Sequence, residues 1–371
     1  MLNDCLAGIR VLDLSQYIPG PYATLLMADL GAEVVKVDPP SGDPMRGLPP
    51  LGPDGQSRLY DVVNRGKTIV RLDLKNAADK AMLAELVKSA DVLLESYRPG
   101  VMERLGFGWE SLKQLNPRLV HCALSGFGQT GPLRLRAGHD NTYLALAGAL
   151  HASGTGEEEA PVMPYPPFAD HAGAMQAVIA TLGALVRRSS TGRGGTLDVS
   201  IYETALTLQY LNHVTATSDP AERGHELLNG GAAFYRVYRC GDGAFVALGA
   251  IEAKFWAMFC HTVGKPEWAA RQSDPFPQTD LISEVSAVLA SQPREHWLAA
   301  FEAVDCCFEP VLTPKEALEH PQAVARGMVS FTDEGGEVLF AAHADGHPPA
   351  RRVPLSEVDA ASVCDAWRTQ E

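Results

Sequence analysis

The sequence predicts an α/β protein whose larger domain contains a doubly wound, Rossmann-like parallel sheet with helices on both faces. Two observations predict this fold class. Strand-type and helix-type segments alternate through the amino-terminal half, which favours parallel strands joined by helical crossovers. In addition, 46% of the 371 residues are hydrophobic, which is enough apolar material for a sizeable core.

The first elements form a β-α-β unit. Residues 8–14 alternate like a strand, residues 22–30 have helical spacing after Pro19-Gly20-Pro21, and residues 33–37 form a second strand. The pattern repeats with strands at 68–72, 91–94 and 119–124 and helices at 77–89 and 109–115. The turn after the first strand lacks Gly-x-Gly-x-x-Gly, so we expect no nicotinamide or flavin dinucleotide there.

A long apolar helix is predicted from Asp170 to residue 186, with Asp170 as its N-cap. A further strand and helix follow at 196–199 and 202–210, and an irregular polar stretch at 215–231 indicates a linker. Two short strands joined by a glycine-containing turn then predict a hairpin. This hairpin begins a smaller α+β domain, whose predicted elements are strands at 235–239 and 245–249 and helices near 255–262, 281–291 and 294–303.

Composition excludes several function classes. The chain has 31 Lys and Arg against 45 Asp and Glu, a net charge of −14, which disfavours nucleic acid or an anionic membrane as partner. No run of 18 apolar residues and no secretory layout at the amino terminus are present, so a soluble, cytoplasmic protein is expected. The seven cysteines include no Cys-x-x-Cys pair, which argues against a disulfide framework and a structural zinc site.

Basic side chains in the amino-terminal part fall at the ends of predicted elements, namely Lys36, Arg65, Arg98 and Arg104. The crevice beyond the carboxyl ends of parallel strands is the usual ligand site, and Arg and Lys there suit a polyphosphate. Ordinary solvated charge produces the same pattern and is the more frequent explanation, so spacing alone leaves both interpretations open.

Three positions carry groups suited to acid–base chemistry. Gly138-His139-Asp140 places an imidazole beside a carboxylate after a turn, although a lone His is more often structural. Asp170 is either a simple N-cap or a carboxylate beside free backbone N–H groups that could hold an oxyanion. Glu252 follows a strand and precedes a helix, where a charge is unremarkable, and His171 is best explained as a residue of the helix's first turn.

Several separated blocks, in the right order over residues 8–312, carry a family resemblance. They include Pro19-Gly20-Pro21, the segment from Asp29 to Val37, Asn64-Arg65, Tyr97-Arg98-Pro99-Gly100, Gly128-Gln129-Thr130-Gly131-Pro132 and Gly138-His139-Asp140. With these blocks the chain resembles α-methylacyl-CoA racemases of the family III CoA-transferase superfamily. The resemblance implies an isomerase of fatty acid metabolism that acts on 2-methylacyl-CoA thioesters, with no metal or other cofactor because CoA is part of the substrate.

The resemblance also implies roles for individual residues. Racemisation of the α-carbon by 1,1-proton transfer needs two bases on opposite faces of an enolate, and these match His139 and Asp170. Glu252 would hold His139 in the correct tautomer, and backbone N–H groups around Asp170 would bind the enolate oxygen. The resemblance implies that Lys36, Arg65, Arg98 and Arg104 bind CoA. It also implies a substrate pocket that includes Ile18, Asp140 and Tyr143.

The sequence leaves two alternatives open. A family III CoA-transferase would use Asp170 alone, forming a mixed anhydride while CoA moves between two carboxylic acids. The residues after Asp170 favour this alternative, because His171-Ala172-Gly173 stands where racemases usually have an aromatic residue and several glycines. A catalytically silent acyl-CoA-binding protein is the other alternative, but it would have little reason to keep His139, Asp170 and Glu252 together.

The architecture implied by the resemblance is an interlocked homodimer. Its large domain is built from both chain ends, here 1–198 and 326–371, and its small domain spans 228–312, with linkers at 199–227 and 313–325. His139 and Asp170 would come from one chain and Glu252 from its partner. The CoA phosphates would lie over the large domain.

Overall fold

The computed structural model describes residues 2–154, 156, 160–215, 222–332 and 335–369. Contacts between Cα atoms divide the chain into two compact units. Unit 1 comprises Met1–Ala147, Tyr165–Thr207 and Leu318–Glu371, and unit 2 comprises Gly148–Pro164 and Leu208–Ala317. Segments from both halves of the sequence therefore contribute to unit 1.

Strands are numbered in chain order. They are β1 Arg10–Leu14, β2 Glu33–Asp38, β3 Thr68–Arg71, β4 Val92–Glu95, β5 Val120–Ser125, β6 Gly195–Ser200, β7 Tyr235–Arg239, β8 Phe245–Gly249, β9 Phe308–Pro310, β10 Val329–Thr332, β11 Gly335–Val338 and β12 Ser356–Glu357.

Helices are numbered in the same way. They are α1 Pro19–Asp29, α2 Arg58–Asn64, α3 Ala77–Ser89, α4 Val101–Leu105, α5 Trp109–Leu115, α6 Asp140–Leu146, α7 Phe168–Thr191, α8 Ile201–Leu208, α9 Tyr210–Thr215, α10 Ala253–Thr262, α11 Thr279–Leu289, α12 Arg294–Phe301, α13 Pro314–Glu319, α14 Pro321–Ala325 and α15 Ala360–Thr369. Short 3-10 helices occur at Leu2–Asp4, Pro44–Gly47 and Pro266–Arg271.

The main sheet of unit 1 has seven strands in the order β12-β3-β2-β1-β4-β5-β6, and every neighbouring pair is parallel. The order reverses at β1, because the chain moves from β1 through β2 to β3 and then returns to β4 on the other side. This is a doubly wound sheet, and the prediction of a large parallel α/β fold is confirmed. Its switch point lies between β1 and β4, where such folds bind ligands.

Helices cover both faces of this sheet. On one face, Leu12 and Leu14 of β1 pack in a core cluster with side chains from α3, α5 and α15. On the other face, Asp13 bonds to Thr24 of α1, and α1 packs against α7. Successive β1 residues therefore point to opposite helical layers, as the two-residue period of a strand requires.

Several elements of the fold differ from the sequence predictions, and helices α2, α4 and α6 and strands β10 and β11 are among those not predicted. Strand β12 was not predicted, because two residues are too few to carry a periodic signal. It pairs with β3, a segment nearly 300 residues earlier in the chain. Helix α7 begins at Phe168 rather than Asp170, with Pro167 at its N-cap and no side-chain cap. The predicted helix at 202–210 is two helices, α8 and α9.

Unit 2 contains an antiparallel three-stranded sheet in the order β7-β8-β9. The β7–β8 hairpin has the predicted bounds, whereas β9 was not predicted. One core cluster joins this sheet to helices α10, α11 and α12, and its largest fully buried side chain is Trp256. Loop 250–251 before α10 is held by Gln272, whose amide donates to the carbonyl of Ile251 at 2.8 Å.

The predicted linkers contain helices. Helices α8 and α9 lie within 199–227, of which residues 216–221 are outside the described ranges, and α13 and α14 lie within 313–325. In α8, Ile201 and Ala205 are buried, so this segment packs against the rest of unit 1. The predicted domain boundaries themselves stay a prediction. Among the described residues, no helix combines the length and apolar content that a bilayer crossing requires.

Candidate active site

A cavity of about 350 Å³ lies in unit 1 at the carboxyl ends of β1, β4 and β5. Its wall is formed by residues 16, 17 and 19 after β1, 96–99 after β4 and 124–127 at the end of β5, with Arg134, Arg136, 137–139, Tyr143, Asp170 and Ile201. The cavity thus occupies the switch point of the sheet. Of the predicted site residues, it brings together Arg98, His139, Tyr143 and Asp170.

The loop after β1 is held from beneath by buried polar groups. The N–H of Ser15 donates to Asp13 Oδ1 at 2.9 Å, and the carbonyl of Ser15 accepts from the Lys36 ammonium at 2.5 Å. The N–H of Gln16 donates to the hydroxyl of Ser96, which ties this loop to the one after β4. Tyr17 has a φ of 62°, the left-handed region that a tyrosine rarely adopts, so the fold imposes the shape of this wall.

Lys36 was predicted to bind CoA phosphates, and the structure does not support that role. Its side chain is fully buried, and its ammonium lies 3.1 Å from Asp43 Oδ2 and 3.5 Å from Asp38 Oδ1. These carboxylates and the Ser15 carbonyl surround the charge, so it is not accessible to a phosphate. Burial alone would lower the pKa of Lys36, but Asp13, Asp43 and Asp38 outweigh burial and raise it.

The loop after β4 is fastened by Glu95. Its Oε2 accepts from the N–H of Tyr97 at 2.6 Å, which positions the neighbouring Arg98 at the cavity wall. Burial is the main cause that raises the pKa of Glu95 to about 8, so this side chain is mostly protonated at neutral pH. Burial likewise lowers the pKa of His121, 3.8 Å away, to about 4. Glu95 and His121, which do not line the cavity themselves, are therefore both uncharged at neutral pH.

His139 lies at the cavity as the residue that precedes α6. Its N–H donates to the hydroxyl of Thr142 at 3.0 Å, and that hydroxyl donates back to the His139 carbonyl at 2.7 Å. One turn along, the ring of Tyr143 packs so closely against Gly126 and Gly138 that a Cβ at either glycine would overlap it. The two glycines therefore allow the Tyr143 ring to reach the cavity beside His139.

Asp170 is the third residue of α7, so it lines the cavity from a different helix than Tyr143, which lies on α6. Two causes raise the pKa of Asp170 to about 7: burial is the larger, and the nearby Asp140 carboxylate is the second. A carboxyl group with a pKa near neutrality can both accept and release a proton at pH 7. Among the lining residues, all within the described ranges, Asp170 is the only carboxylic acid.

The prediction that backbone N–H groups around Asp170 hold an oxyanion is wrong for the two nearest groups. The N–H of Asp170 donates to Asp140 Oδ1 at 3.0 Å, and that of His171 donates to the Pro167 carbonyl. Both donors are already used inside the protein. The His171 ring also donates to the Pro167 carbonyl and contacts Tyr22, as expected for a first-turn residue.

Several predicted residues lie apart from the cavity wall. Ile18 packs against the small apolar cluster of Met45, Tyr60 and Val63 instead, while its neighbours Tyr17 and Pro19 line the cavity. Asp140 is buried and bonds to the Asp170 backbone.

The remaining predicted cations and Glu252 have other surroundings. Arg65 pairs with Glu337 at 3.2 Å, and Arg104 is exposed beside Gly100. Glu252 is exposed in unit 2, where it is the N-cap residue of α10.

Sequence reasoning missed two cavity cations, Arg134 and Arg136. Both are exposed and line the cavity, whereas Leu135 between them does not. One sequence feature could have indicated them: the two arginines alternate with Leu135 in the short segment between the block that ends at Pro132 and the block that begins at Gly138. With Arg98 they place three guanidinium groups around one carboxylic acid, so the cavity is cationic although the chain is acidic overall.

Within the described ranges, no group of three or more His, Cys, Asp or Glu side chains is arranged to hold a metal ion. The residues observed at the site are an imidazole, His139, and a carboxylic acid, Asp170, together with the cations Arg98, Arg134 and Arg136. The fold and the site thus define a doubly wound α/β enzyme whose cavity at the sheet's switch point is suited to an anionic ligand.

Comparison with known proteins gives the family. The family model for CoA-transferase family III matches residues 6–353. Alpha-methylacyl-CoA racemase of Homo sapiens is 38% identical over 335 residues, covering 89% of this chain and 83% of the relative. Acetyl-CoA:oxalate CoA-transferase of Acetobacter aceti is 34% identical over 370 residues, covering 95% and 94%. The chain belongs to CoA-transferase family III, which confirms the resemblance.

Solved structures agree with this fold. The crystal structure of a CAIB/BAIF family protein from Brucella suis matches with a TM-score of 0.83, covering 98% of both chains at 24% identity. That of Rv3272 from M. tuberculosis matches with a TM-score of 0.80, covering 95% of this chain and 96% of the other at 26% identity.

Proposed function

We propose that this protein is a 2-methylacyl-CoA racemase that inverts the α-carbon of a branched acyl-CoA by 1,1-proton transfer. The observation that carries the proposal is that His139 and Asp170 line the same cavity at the switch point of the sheet. Racemases in the family, from Homo sapiens and Mus musculus, are 38% and 37% identical to the chain. The reaction needs two proton carriers, and this cavity holds them.

The chemistry follows from the acidity of the two groups. One base removes the α-proton and leaves an enolate, and the protonated partner then returns a proton to the other face of Cα. The carboxyl group of Asp170, whose pKa is about 7, and the imidazole of His139 can exchange these roles when the direction of the reaction changes. Each group contributes roughly 10²- to 10⁴-fold to the rate. Because the N–H groups of Asp170 and His171 are already bonded, other donors must bind the enolate oxygen.

Arg98, Arg134 and Arg136 would bind the CoA diphosphate or 3′-phosphate at the cavity mouth, because guanidinium groups bind phosphate oxygens in pairs. Arg65 and Arg104 remain candidates outside the cavity wall. Lys36 is not included because its ammonium is enclosed by carboxylates. CoA is part of the substrate in this proposal, and the chemistry uses no further cofactor.

We further propose the interlocked homodimer, in which Glu252 of one chain orients His139 of the other. Its support is an exposed apolar stripe on α7. Phe168, Met175, Ile179 and Val186 are all exposed and lie on one side of the helix. A continuous row of exposed apolar side chains usually marks a surface that another chain covers. In the proposed dimer, a second copy of this chain covers it.

Isotope exchange tests the proposal. A 2-methylacyl-CoA incubated with the enzyme in heavy water, without any acceptor acid, should gain deuterium at Cα and lose its configuration, as read by mass spectrometry and chiral analysis. His139→Ala should abolish the loss of configuration, and any deuterium still gained through Asp170 alone should enter with retention, whereas the exposed His320→Ala should leave both readouts unchanged. The absence of exchange and of scrambling for short, long and aryl acyl chains would contradict the proposal.

A second candidate is CoA transfer between carboxylic acids. The observation that favours it is the match to Acetyl-CoA:oxalate CoA-transferase over 95% of the chain. In that reaction the Asp170 carboxylate attacks the thioester carbonyl, CoA thiolate leaves, and an aspartyl anhydride forms. Hydroxylamine should trap this anhydride at Asp170, and His139→Ala should retain most of the activity. The same variant therefore separates the two reactions.

A further inference from the structure

The two proposed bases are joined by one buried side chain. Asp140 is the first residue of α6 and follows His139 directly, and it is only 9% exposed. Its Oδ1 accepts the backbone N–H of Asp170 at 3.0 Å, across 30 residues of sequence. The start of α6 and the first turn of α7 are thus fastened to each other at the cavity.

We propose that Asp140 is a positioning residue of the reaction: its carboxylate holds the first turn of α7, and so Asp170, in register with His139. The inference rests on the proposed acid–base function of that pair. A first-turn N–H normally faces solvent or a capping side chain, and α7 has no side-chain cap at its N-cap residue, Pro167. Asp140 supplies the missing acceptor from a neighbouring helix.

The charge of Asp140 gives this contact a second consequence. A carboxylate near another carboxyl group disfavours ionisation of its neighbour. Asp140 is the only charged side chain among the causes that raise the pKa of Asp170, the larger cause being burial. Elements packed against α7 carry these other titratable groups: Tyr143 on α6, Tyr22 and Asp29 on α1, His121 and Cys122 on β5, and Asp198 on β6.

Position and charge can be separated by two substitutions. Asp140→Asn keeps an oxygen that can accept the Asp170 N–H but removes the charge, whereas Asp140→Ala removes both. Asp198→Asn is the matched control, because the Asp198 carboxylate also accepts a backbone N–H, that of Gln129, and is not among the causes that act on Asp170.

The primary measurement is the pKa of Asp170 from its side-chain carboxyl ¹³C shift, assigned by comparison with Asp170→Asn. We expect Asp140→Asn to lower this pKa by about one unit, within the range for like-charge neighbours. Asp198→Asn should leave it unchanged. A pKa that moves by less than about 0.3 units in Asp140→Asn, well below the range for such neighbours, would overturn the role of the charge.

Racemisation kinetics then test positioning. The acidic limb of the kcat/KM profile should shift down with the pKa in Asp140→Asn while its plateau falls less than about threefold. In Asp140→Ala the plateau kcat should fall at least about tenfold with KM little changed. An Asp140→Ala enzyme with full kcat would overturn the positioning role. Absence of turnover in the parent enzyme would refute the racemase proposal instead, while the ¹³C titration still decides the link between Asp140 and Asp170.

Discussion

Arg352 and Asp29 form a two-point ion pair in which Nε and Nη2 each lie 2.7 Å from one carboxylate oxygen. Both side chains are buried, and Arg352 also contacts Glu337 at 3.1 Å. The pair joins the carboxyl-terminal segment to the end of α1, so two segments that are far apart in sequence are held together within unit 1. Buried pairs of this kind are costly to break from one side.

We therefore expect Arg352→Ala to lower the free energy of unfolding by about 3–5 kcal/mol, because it leaves the buried Asp29 carboxylate without its cation. Arg352→Lys keeps the charge but loses the forked geometry, so its loss should be intermediate. The control is Arg368→Ala on α15, an exposed arginine paired with Glu85, which should cost less than about 1 kcal/mol. Urea unfolding at pH 7.5 measures all three. Equal losses for Arg352→Ala and Arg368→Ala would contradict the prediction.

Asp170 should make the protein less stable as the pH rises. Its pKa is about 7 in the folded chain, against about 3.9 for an unfolded Asp. Between these values the folded state keeps a proton that the unfolded state has lost, so the free energy of unfolding falls from about pH 4 to pH 7. Above pH 7 this contribution is fully lost.

Asp170→Asn mimics the protonated side chain and does not titrate. It should be more stable than the parent by about 1–3 kcal/mol at pH 8, a figure reduced for partial exposure of the group, and the gap should close toward pH 4. Thermal or urea unfolding across this range measures the gap, with Asp198→Asn as the control for loss of a carboxylate. A variant that is less stable than the parent at pH 8 would show that burial of Asp170 carries no such cost.

The fold was largely predictable because its strands carry a periodic signal. Strands β1 to β5 and the β7–β8 hairpin were predicted at or within two residues of their observed bounds. Strand β12 has two residues, and its pairing with β3 depends on a contact between distant segments. The start of α7 was misplaced because a proline and two apolar residues precede Asp170, so the only capping residue type in the neighbourhood was Asp170 itself.

The site was less predictable, because burial of a charged side chain depends on contacts that a pattern does not encode. Lys36 stands between Val35 and Val37 in β2, where alternation indicates only that it faces away from them. That opposite face is buried, and three oxygen atoms surround the ammonium. The cavity position of Arg134 and Arg136 likewise depends on a loop whose path has no periodicity.

Lys36→Met tests which role this lysine has. The substitution keeps the length of the side chain but leaves Asp43 without its cation in a buried site, while Asp38 keeps Arg46 at 3.1 Å, so we expect a loss of about 3–5 kcal/mol in unfolding free energy. CoA affinity of the folded protein at low temperature, measured by calorimetry, should change less than about threefold, under 0.7 kcal/mol. A tenfold loss of CoA affinity with unchanged stability would restore Lys36 as a CoA ligand.

Arg134 and Arg136 should act on binding rather than on proton transfer. Acyl-CoA carries several phosphate charges, and each charge-assisted contact is stronger than a neutral one. The double variant Arg134→Gln/Arg136→Gln should therefore raise KM about tenfold, or about 1.4 kcal/mol, with kcat within about threefold. KM should also depend less on ionic strength than in the parent, because two of the screened charges are gone.

The matched control is Arg187→Gln, an exposed arginine near the carboxyl end of α7 that donates to the Gly194 carbonyl and does not line the cavity. It should leave KM and its salt dependence unchanged, since loss of one surface charge far from the ligand is screened at physiological ionic strength. If the double variant behaves like this control, Arg134 and Arg136 are ordinary solvated charges. If kcat falls instead while KM holds, the two cations act on the enolate and not on the phosphates, since only interactions made in the transition state change kcat in that way.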